Sequence, residues 1–437
     1  MAEKMIEWLY NLQHFGIKLG LDNIRTLLEI LEQPQRQYRT IHVAGTNGKG
    51  SVSAMLDAML DAMGRRSGLF TSPHLVRPNE RIRIAGVDIS DDELDRQLLA
   101  MRERIESAVA SGQLEAHPSF FEVMTATALE SFREHRLDAA VLEVGLGGRL
   151  DATNAVDAEV GVIVTIGLDH VKSLGPTIEK IAAEKAGIIK EGMPLISGVL
   201  QPSAIEVIQS RCAEVGAHFI SAAAEFDLVE HDDDSFDLIA PDRSYRNLRC
   251  ALAGPHQRQN ARVALRALEG WCGEERLPTE DEVRAGLANV RWAGRLQHID
   301  REGRPNLLVD GAHNPEGIDS VASYLERHPP AEGAVLLFGA TSGKSIERLL
   351  EPLAPYFETI VIGRPPIERG VDAEEVAVSA RKLFKVVEAQ AETPAAFSLA
   401  EAIAGNEGSI FVTGSLYLVG EVLGLLEPNA VPGPVAL

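Results

Sequence analysis

The chain has 437 residues, of which 45% are hydrophobic and 24% are charged. This composition is that of a folded globular protein and argues against a disordered chain, a collagen or a coiled coil. The 42 basic and 64 acidic side chains give a formal net charge of −22. Such a charge argues against non-specific binding to nucleic acid or anionic membranes, so a phosphate-binding site has to be built locally.

The length predicts two or three domains. Three scattered cysteines, at positions 212, 250 and 272, are too few for a disulfide framework or a zinc site and are expected to be reduced thiols. The first ten residues predict an amphipathic helix and lack the basic flank and apolar core of a signal peptide. No apolar run reaches the ~20 residues that a membrane span needs. We therefore expect a cytoplasmic protein without a membrane or nucleic-acid partner.

Strand-length apolar runs alternate with longer segments of helical periodicity. The predicted strands are residues 40–44, 139–144, 160–166, 194–198, 306–309, 334–338, 359–362 and 409–412. The clearest helices are residues 52–63, 120–135 and 259–272, and an acidic run at 232–234 predicts a hairpin turn. This alternation predicts an α/β fold with parallel sheets covered on both faces, whose ligands lie at the carboxyl ends of the strands.

A domain boundary is predicted near residue 296, where a helix-like segment ends before a new series of strands. The two domains would be residues 1–296 and 297–437. A cleft between two α/β domains is a natural substrate site.

The first predicted strand runs into a glycine-rich loop followed by a helix. The loop consists of Gly45, Thr46, Asn47, Gly48, Lys49, Gly50 and Ser51. Glycines let backbone N–H groups point at phosphate oxygens, and the helix start adds its positive dipole end. In such loops the lysine reaches the β- and γ-phosphates and the serine hydroxyl binds Mg²⁺. The strict G-x4-G-K-[ST] pattern is not met, because Val43 replaces the first glycine and Gly50 separates Lys49 from Ser51.

Polar groups also follow the next two strands. Glu143 ends one strand beside a second glycine-rich loop, and His170 follows the other. A carboxylate at this edge can hold the Mg²⁺ that bridges ATP phosphates, although an exposed acid there is the alternative. His170 is interpreted as either a ligand or a structural histidine. On composition alone, Lys185 in the following helix is a surface lysine.

The residues alone do not decide the role of two further segments. The loop at 71–81 contains two prolines and several polar groups, and it is interpreted as a surface loop that can bind a ligand. Phe120 and Phe121 begin a helix, and each can either pack in the core or stack on a flat ligand.

These motifs together resemble the folylpolyglutamate synthase/dihydrofolate synthase family of the Mur ligase superfamily. The matching segments are residues 42–51, 71–75, 79–82, 143–154, 167–170, 184–188, 310–315 and 414–420. They occur in the family order across nearly the whole chain, and Gly50 after the lysine favours the folate branch. The resemblance implies a large P-loop-type domain, with a mostly parallel sheet covered by helices, and a smaller Rossmann-like α/β C-terminal domain that takes part in glutamate ligation.

The resemblance also implies a role for each matched residue. ATP would be bound by the glycine-rich loop with Asn260, Arg295, Asp310 and His313. Two Mg²⁺ ions would be held by Ser51, Glu143, His170 and Lys185, the last of them carbamylated. The catalytic residues would be Lys49, His170, Lys185, Asp310 and His313. The pterin-bearing substrate would lie against Thr71, Ser72, Pro73, His74, Arg81 and Phe121.

The implied activity is that of an ATP-dependent amide ligase, which we expect to be a monomer. It would add L-glutamate to 7,8-dihydropteroate and to the γ-carboxylate of reduced folates through an acyl phosphate, releasing ADP and phosphate. The alternative is that the chain catalyses only one of these steps. One departure concerns residues 339–345, where Lys344 lacks the acidic neighbours that are frequent in the family. This segment is either an anion site for glutamate or phosphate, or a plain turn.

Two other functions are alternatives. A cell-wall muropeptide ligase generally has an additional N-terminal domain, for which the roughly 40 residues before the glycine-rich loop leave no room. A nucleotide switch or phosphatase-type NTPase would explain Lys49 and Ser51 but not the set formed by Glu143, His170 and Lys185. ATP turnover that is independent of a carboxylate acceptor would favour the NTPase.

Overall fold

A computed structural model describes residues 2–12, 20–273 and 276–427 of the chain. The strands are β1 (Arg39–Ala44), β2 (Ser67–Phe70), β3 (Ile82–Ile84), β4 (Val87–Asp88), β5 (Ala139–Glu143), β6 (Val160–Ile163), β7 (Pro194–Ser197), β8 (His218–Ser221), β9 (Asp227–Glu230), β10 (Phe236–Ile239), β11 (Ser244–Leu248), β12 (Gln297–Ile299), β13 (Asn306–Val309), β14 (Val335–Phe338), β15 (Thr359–Gly363), β16 (Val386–Gln390) and β17 (Ser409–Thr413).

The α-helices are α1 (Ala2–Asn11), α2 (Asp22–Ile30), α3 (Lys49–Ala62), α4 (Asp91–Ala110), α5 (Phe120–Glu134), α6 (Val171–Leu174), α7 (Ile178–Ala186), α8 (Pro202–Val215), α9 (Ala222–Glu225), α10 (His256–Cys272), α11 (Glu280–Asn289), α12 (Pro315–Arg327), α13 (Ile346–Leu350), α14 (Ala373–Ala380), α15 (Thr393–Ala404) and α16 (Leu416–Leu426). None of the helices in the described ranges is long and apolar enough to cross a membrane.

The larger sheet has eight strands in the order β4-β3-β2-β5-β1-β6-β7-β8. Its strands are parallel from β2 to β8, and β3 and β4 add an antiparallel edge. The central strand β1 lies between β5 and β6, with Val43 opposite both Glu143 and Val162. The loops that follow these three strands therefore meet at one edge, as the sequence predicts.

Helices bury both faces of this sheet. One face packs against apolar residues of α3, α10 and α11, and the other against α1, α2, α4 and α5. Local capping sets where two of the helices begin: Ser119 and Glu122 form a capping box at α5, and the Thr177 hydroxyl accepts from the Lys180 N–H at α7. The α5 cap leaves Phe120 buried in the core, stacked on Tyr10 with ring centroids 5.7 Å apart.

The acidic run forms the turn of a β-hairpin, as predicted. Strands β9 and β10 pair antiparallel on either side of it, and β11 completes a three-stranded sheet. The Arg258 guanidinium bonds to Glu230 and Asp234, each at 2.8 Å. Basic side chains therefore neutralise this run, and Arg258 ties the hairpin to the first turn of α10.

The smaller sheet has six strands in the order β12-β13-β17-β14-β15-β16. Only β12 is antiparallel to its neighbour. Apolar side chains from both faces of the sheet form two further cores. The loops after β13, β17 and β14 meet at one edge, which faces the corresponding edge of the larger sheet across a shared cavity. The predicted α/β class with a large and a small sheet is confirmed.

Candidate active site

A cavity of about 570 Å³ lies between the carboxyl edges of the two sheets. From the larger sheet it is lined by the whole glycine-rich loop, Glu143, His170, Lys185 and Asn260. From the smaller sheet and the segment that precedes it come Arg295, Asp310, His313 and Lys344. The structure thus brings together the residues predicted to bind the nucleotide and the metal, although they extend from Gly45 to His313 in the sequence.

The glycine-rich loop is held open by its own backbone and by neighbouring elements. Gly48 has φ 83°, and a Cβ there would lie 2.7 Å from Asn260 Oδ1, so only glycine fits this position. The Thr46 N–H donates to the Thr165 carbonyl at 2.8 Å. Lys49 begins α3, and its Nζ donates to the Thr46 carbonyl at 3.4 Å, which places the ammonium group over the loop. This is the geometry of a phosphate-binding loop.

A buried glutamine supports this loop and was not found from the sequence. The Gln257 Nε2 group donates to Ser51 Oγ at 3.4 Å, and the Asn260 amide donates to Gln257 Oε1 at 2.9 Å. Gln257 is 1% exposed. It therefore orients both the predicted metal-binding hydroxyl and the predicted nucleotide-binding amide. Its position in the first turn of α10, three residues before Asn260, was the only sequence signal.

Gln257→Leu, which keeps the size and removes both hydrogen bonds, is expected to lower kcat/KM for ATP about tenfold. The matched control is Gln259→Leu, on the exposed side of the same helix turn. Steady-state ADP release at varied ATP measures both. Equal kinetics for the two variants would contradict the role of Gln257.

Glu143 and Lys185 are both buried at the base of the cavity, each 4% exposed. Burial raises the pKa of Glu143, and the charges of Lys49 and Arg295 oppose this rise. Lys185 Nζ donates to the Gly45 carbonyl at 2.7 Å. Burial, assisted by the charge of Lys49, lowers the pKa of Lys185 to about 7. The interpretations of Lys185 as a surface lysine and of Glu143 as an exposed acid were wrong, because β5 and α7 both pack against the glycine-rich loop.

His170 and Asp169 are neighbours in the chain, and both line the cavity. His170 adopts a left-handed backbone with φ 49° and turns its ring toward the cavity. Desolvation of the ring and nearby positive charges lower its pKa to about 4. Burial would raise the pKa of Asp169, but the hydrogen bond and charge of His313 hold it well below its usual range. Within the described ranges, no three His, Cys, Asp or Glu side chains form a group that could by itself hold a metal.

The smaller sheet contributes a loop held by Asp310. This buried carboxylate accepts the Leu296 and Ala312 N–H groups, each at 2.8 Å. His313 Nδ1 lies 2.8 Å from the Gly311 carbonyl, and its Nε2 lies 3.4 Å from Asp169 Oδ2 on the other side of the cavity. Arg295 Nη1 donates to the Gly294 carbonyl at 2.9 Å. The smaller unit therefore presents His313 to the cavity, and the segment that precedes it presents Arg295.

The predicted pterin residues divide into two groups. Ser72 and Pro73 line the cavity. Thr71, His74 and Arg81 are buried behind it, where Arg81 Nε donates to His74 Nδ1 at 2.8 Å and the guanidinium lies 5.0 Å from the Phe120 ring centroid. Phe121 is half-buried, packed against Phe70 and Gly145. The structure does not bring these four residues to the cavity wall, so their contact with substrate stays a prediction.

Glu80 organises the same loop and was not singled out from the sequence. Its carboxylate accepts the N–H groups of Leu75, Val76 and Arg77 at 2.6, 2.8 and 2.7 Å. One side chain thus satisfies three consecutive backbone N–H groups in the loop at 71–81, which a helix or a strand would otherwise do. Leu75 and Val76 then pack into the core of the smaller sheet.

Comparison with known proteins agrees with this geometry. The Mur ligase middle domain matches residues 43–268, and the C-terminal domain of dihydrofolate synthetase matches residues 296–425. The chain is 34% identical to the dihydrofolate synthase/folylpolyglutamate synthase of Bacillus subtilis over 430 residues, which cover 95% of this chain and 96% of that protein.

The chain belongs to the folylpolyglutamate synthase/dihydrofolate synthase family.

Solved structures show the same fold for this ATP-dependent ligase. The Mycobacterium tuberculosis folylpolyglutamate synthase, complexed with ADP and AMPPCP, superposes with a TM-score of 0.88 at 31% identity, covering 98% of this chain and 100% of that one. A bifunctional folylpolyglutamate synthase/dihydrofolate synthase with Mn, AMPPNP and L-glutamate bound superposes with a TM-score of 0.82 at 30% identity, covering 97% and 98%. Membership of this family argues against the two alternative functions, a muropeptide ligase and a nucleotide switch or NTPase.

Proposed function

We propose that this ligase joins L-glutamate to 7,8-dihydropteroate and to the γ-carboxylate of reduced folates, in both cases with conversion of ATP to ADP and phosphate. The observation that supports this most is the single cavity in which a phosphate-binding loop faces charged groups of a second sheet. The B. subtilis relative carries both activities in its name. The site assignments below belong to the same proposal.

The first step activates a carboxylate, which is a poor acylating agent because its leaving group is oxide. The carboxylate oxygen of the acceptor attacks the γ-phosphorus of ATP. The bond between the γ-phosphorus and the β,γ-bridging oxygen breaks, so the products of this step are an acyl phosphate and ADP. This step needs positioning and charge neutralisation. Lys49 lines the cavity from the glycine-rich loop and Arg295 from the segment that links the two units, and both would neutralise the transferring phosphoryl group.

The donors at the base of the cavity suit Mg²⁺, which prefers oxygen ligands. Ser51 supplies a hydroxyl and Glu143 a buried carboxylate close to the charge of Lys49, and His170 and Lys185 complete the predicted set. A Mg²⁺ held by these residues would supply positive charge to the phosphates and so lower the charge that Lys49 and Arg295 must neutralise. We propose two ions, because Ser51 and Glu143 lie with Lys49 while His170 follows the next strand, β6.

In the second step the amine of glutamate attacks the acyl phosphate and releases phosphate. Water has to be excluded, which closure of the two units over the cavity provides. We propose that Lys344 and Arg369 bind the carboxylates of the incoming glutamate. Both line the cavity, and the loop that carries Lys344 is held by a hydrogen bond from the Ser342 N–H to the Arg369 carbonyl at 2.8 Å. Two cationic side chains at the cavity, Lys344 and Arg369, support an anion site rather than a plain turn.

Carbamylation of Lys185 is supported by its environment. With a pKa lowered to about 7 by burial, a large fraction of its amine is unprotonated at neutral pH and can attack CO₂. The carbamate would add oxygen donors where the described side chains offer few. We expect a ¹³C signal from labelled bicarbonate in the wild-type protein and none in Lys185→Arg. Lys190→Arg is the matched control, and a signal of equal size in Lys185→Arg would contradict the assignment.

The division into domains 1–296 and 297–437, a cytoplasmic location and a monomeric state belong to this proposal. The separate matches of residues 43–268 and 296–425 support the boundary. Cys212, Cys250 and Cys272 all lie in the described ranges and form no disulfide there, as expected in a reducing compartment.

The test is ADP release from purified protein with ATP, Mg²⁺ and L-glutamate in the presence of dihydropteroate, of tetrahydrofolate or of no acceptor. Release with both acceptors is expected. Release with only one would assign the chain to that single step, which is the alternative. Equal release in all three reactions would contradict the ligase proposal while leaving the nucleotide site intact.

A further inference from the structure

Of the contacts that join the larger and smaller units in the described ranges, two seams differ in chemistry. The first is apolar: Leu75 and Val76 of the larger unit lie in the core of the smaller sheet. The second is polar and lies at the glycine-rich loop, where Asn47 and Asp169 face His313 and Asn314. None of the mechanistic steps above uses the side chain of Asn47 or Asn314.

The polar seam is built on a reciprocal pair of amides. Asn47 Nδ2 donates to Asn314 Oδ1 at 3.2 Å, and Asn314 Nδ2 donates to Asn47 Oδ1 at 2.9 Å. Two primary amides can exchange both bonds only within a narrow range of separation and relative orientation. The pair therefore reports the distance between the two units within a few tenths of an ångström.

Asn314 is rigidly connected to the smaller unit. Its Oδ1 also accepts the Gly317 N–H at 2.9 Å, as the N-cap of α12, and its second amide hydrogen goes to Asp169 Oδ2 at 3.0 Å. It is 1% exposed. Movement of this side chain consequently requires movement of α12 and of the loop that carries Asp310 and His313.

Asn47 is equally well connected to the phosphate-binding loop. Its N–H donates to Thr165 Oγ1 at 2.9 Å, and the Thr165 hydroxyl donates back to its carbonyl at 2.9 Å. Lys49 follows two residues later. Because the side-chain amide of Asn47 is engaged by Asn314, it serves the contact between the units rather than the nucleotide.

We propose that Asn47 and Asn314 form a latch that closes the smaller unit over the phosphate-binding loop. His313 and Arg295 reach the nucleotide in register with Lys49 only when the amide pair is made. Both asparagines are positioning residues, and the proposal rests on the proposed function in taking this cavity as the ligase site. The apolar seam stays packed throughout, whereas the neutral hydrogen bonds of the latch exchange readily with water, so the polar side is the one that opens.

The test uses Asn47→Ser, Asn314→Ser and the double variant. Serine is also a good N-cap, so Asn314→Ser keeps the start of α12 and removes only the amide pair and the bond to Asp169. The matched control is Asn289→Ser, an exposed asparagine that does not line the cavity. Three quantities are measured: kcat for acceptor-dependent ADP release, the dissociation rate of a fluorescent ADP analogue, and the radius of gyration with and without AMPPNP.

Each single variant is expected to lose about tenfold or more in kcat and to release the ADP analogue faster. The double variant should lose no more kcat than the more impaired single variant, because the two amides act as a unit. AMPPNP should compact the wild type and the control but not the latch variants. A purely structural role for the two residues would not abolish this nucleotide-dependent compaction.

The latch is overturned if the wild type does not compact with AMPPNP, or if the variants keep wild-type compaction and ADP release. It is also overturned if the losses in the double variant are additive. Failure of the proposed function is a separate result, because ADP release by the wild type would then not depend on an acceptor, whereas the dissociation rate and the compaction would still test the latch.

Discussion

Lys49→Ala is expected to abolish acceptor-dependent ADP release, with a loss of about 10²–10³-fold in kcat or more, while the protein stays folded. Lys49 stands at the first position of α3 with its ammonium group over the glycine-rich loop, and its charge acts on both Glu143 and Lys185. Removing it deprives the transferring phosphoryl group of the cation that the glycine-rich loop supplies. Steady-state ADP release and a urea unfolding curve measure activity and stability on the same preparation.

The matched control is Lys382→Ala, an exposed lysine paired with Glu347 on the smaller unit. A surface ion pair of this kind contributes little to stability, so both activity and unfolding should be unchanged. Wild-type activity in Lys49→Ala would exclude this loop as the site of phosphoryl transfer.

Gly420→Ala is expected to destabilise the protein by about 1–3 kcal/mol and to raise KM for the pterin acceptor. A Cβ at this position would lie 2.1 Å from the Leu75 carbonyl oxygen, a backbone atom that cannot rotate away. Helix α16 and the loop at 71–81 would have to separate, and Ser72 and Pro73 at the cavity wall would move with the loop. The free energy of unfolding in urea and the acceptor KM are the two measurements.

Gly270→Ala is the control for Gly420→Ala and should shift stability in the opposite direction. Gly270 also lies inside a helix, but a Cβ there would meet no atom closer than 3.7 Å. Alanine then favours the helix over glycine by up to about 1 kcal/mol. If both variants changed the free energy of unfolding by the same amount, close packing of α16 against the loop would not be the cause.

Much of the fold could be predicted from local patterns. Strand β13 has the predicted bounds, and β1, β5 and β14 differ from prediction by one residue at one end. The strand at 160–166 ends three residues early, at Ile163, and Thr165 beyond it bonds with Thr46 and Asn47 of the glycine-rich loop. Strands β2, β8 and β16 were missed because they are short or carry polar side chains, and their pairing depends on neighbours distant in sequence.

The site shows the same division. Lys49 and Ser51 could be assigned because a phosphate-binding loop is a local structure whose glycines, lysine and serine are consecutive. Lys185 could not be assigned from composition, because a lysine on an amphipathic helix is buried only when the partner of that helix is known. Gln257 and Glu80 were missed for a related reason, since glutamine and glutamate acquire these roles only from the groups they contact.

By itself, the sequence determined the class of fold, the phosphate-binding loop and, through motifs in family order, the family. These depend on short-range periodicity and on residues that lie close together in the chain. The tertiary structure alone decided that Lys185 is buried, that Arg81 and His74 lie behind the cavity wall, and that Asn47 meets Asn314. Burial and contacts between distant segments follow from how the two sheets pack, and no local pattern encodes that packing.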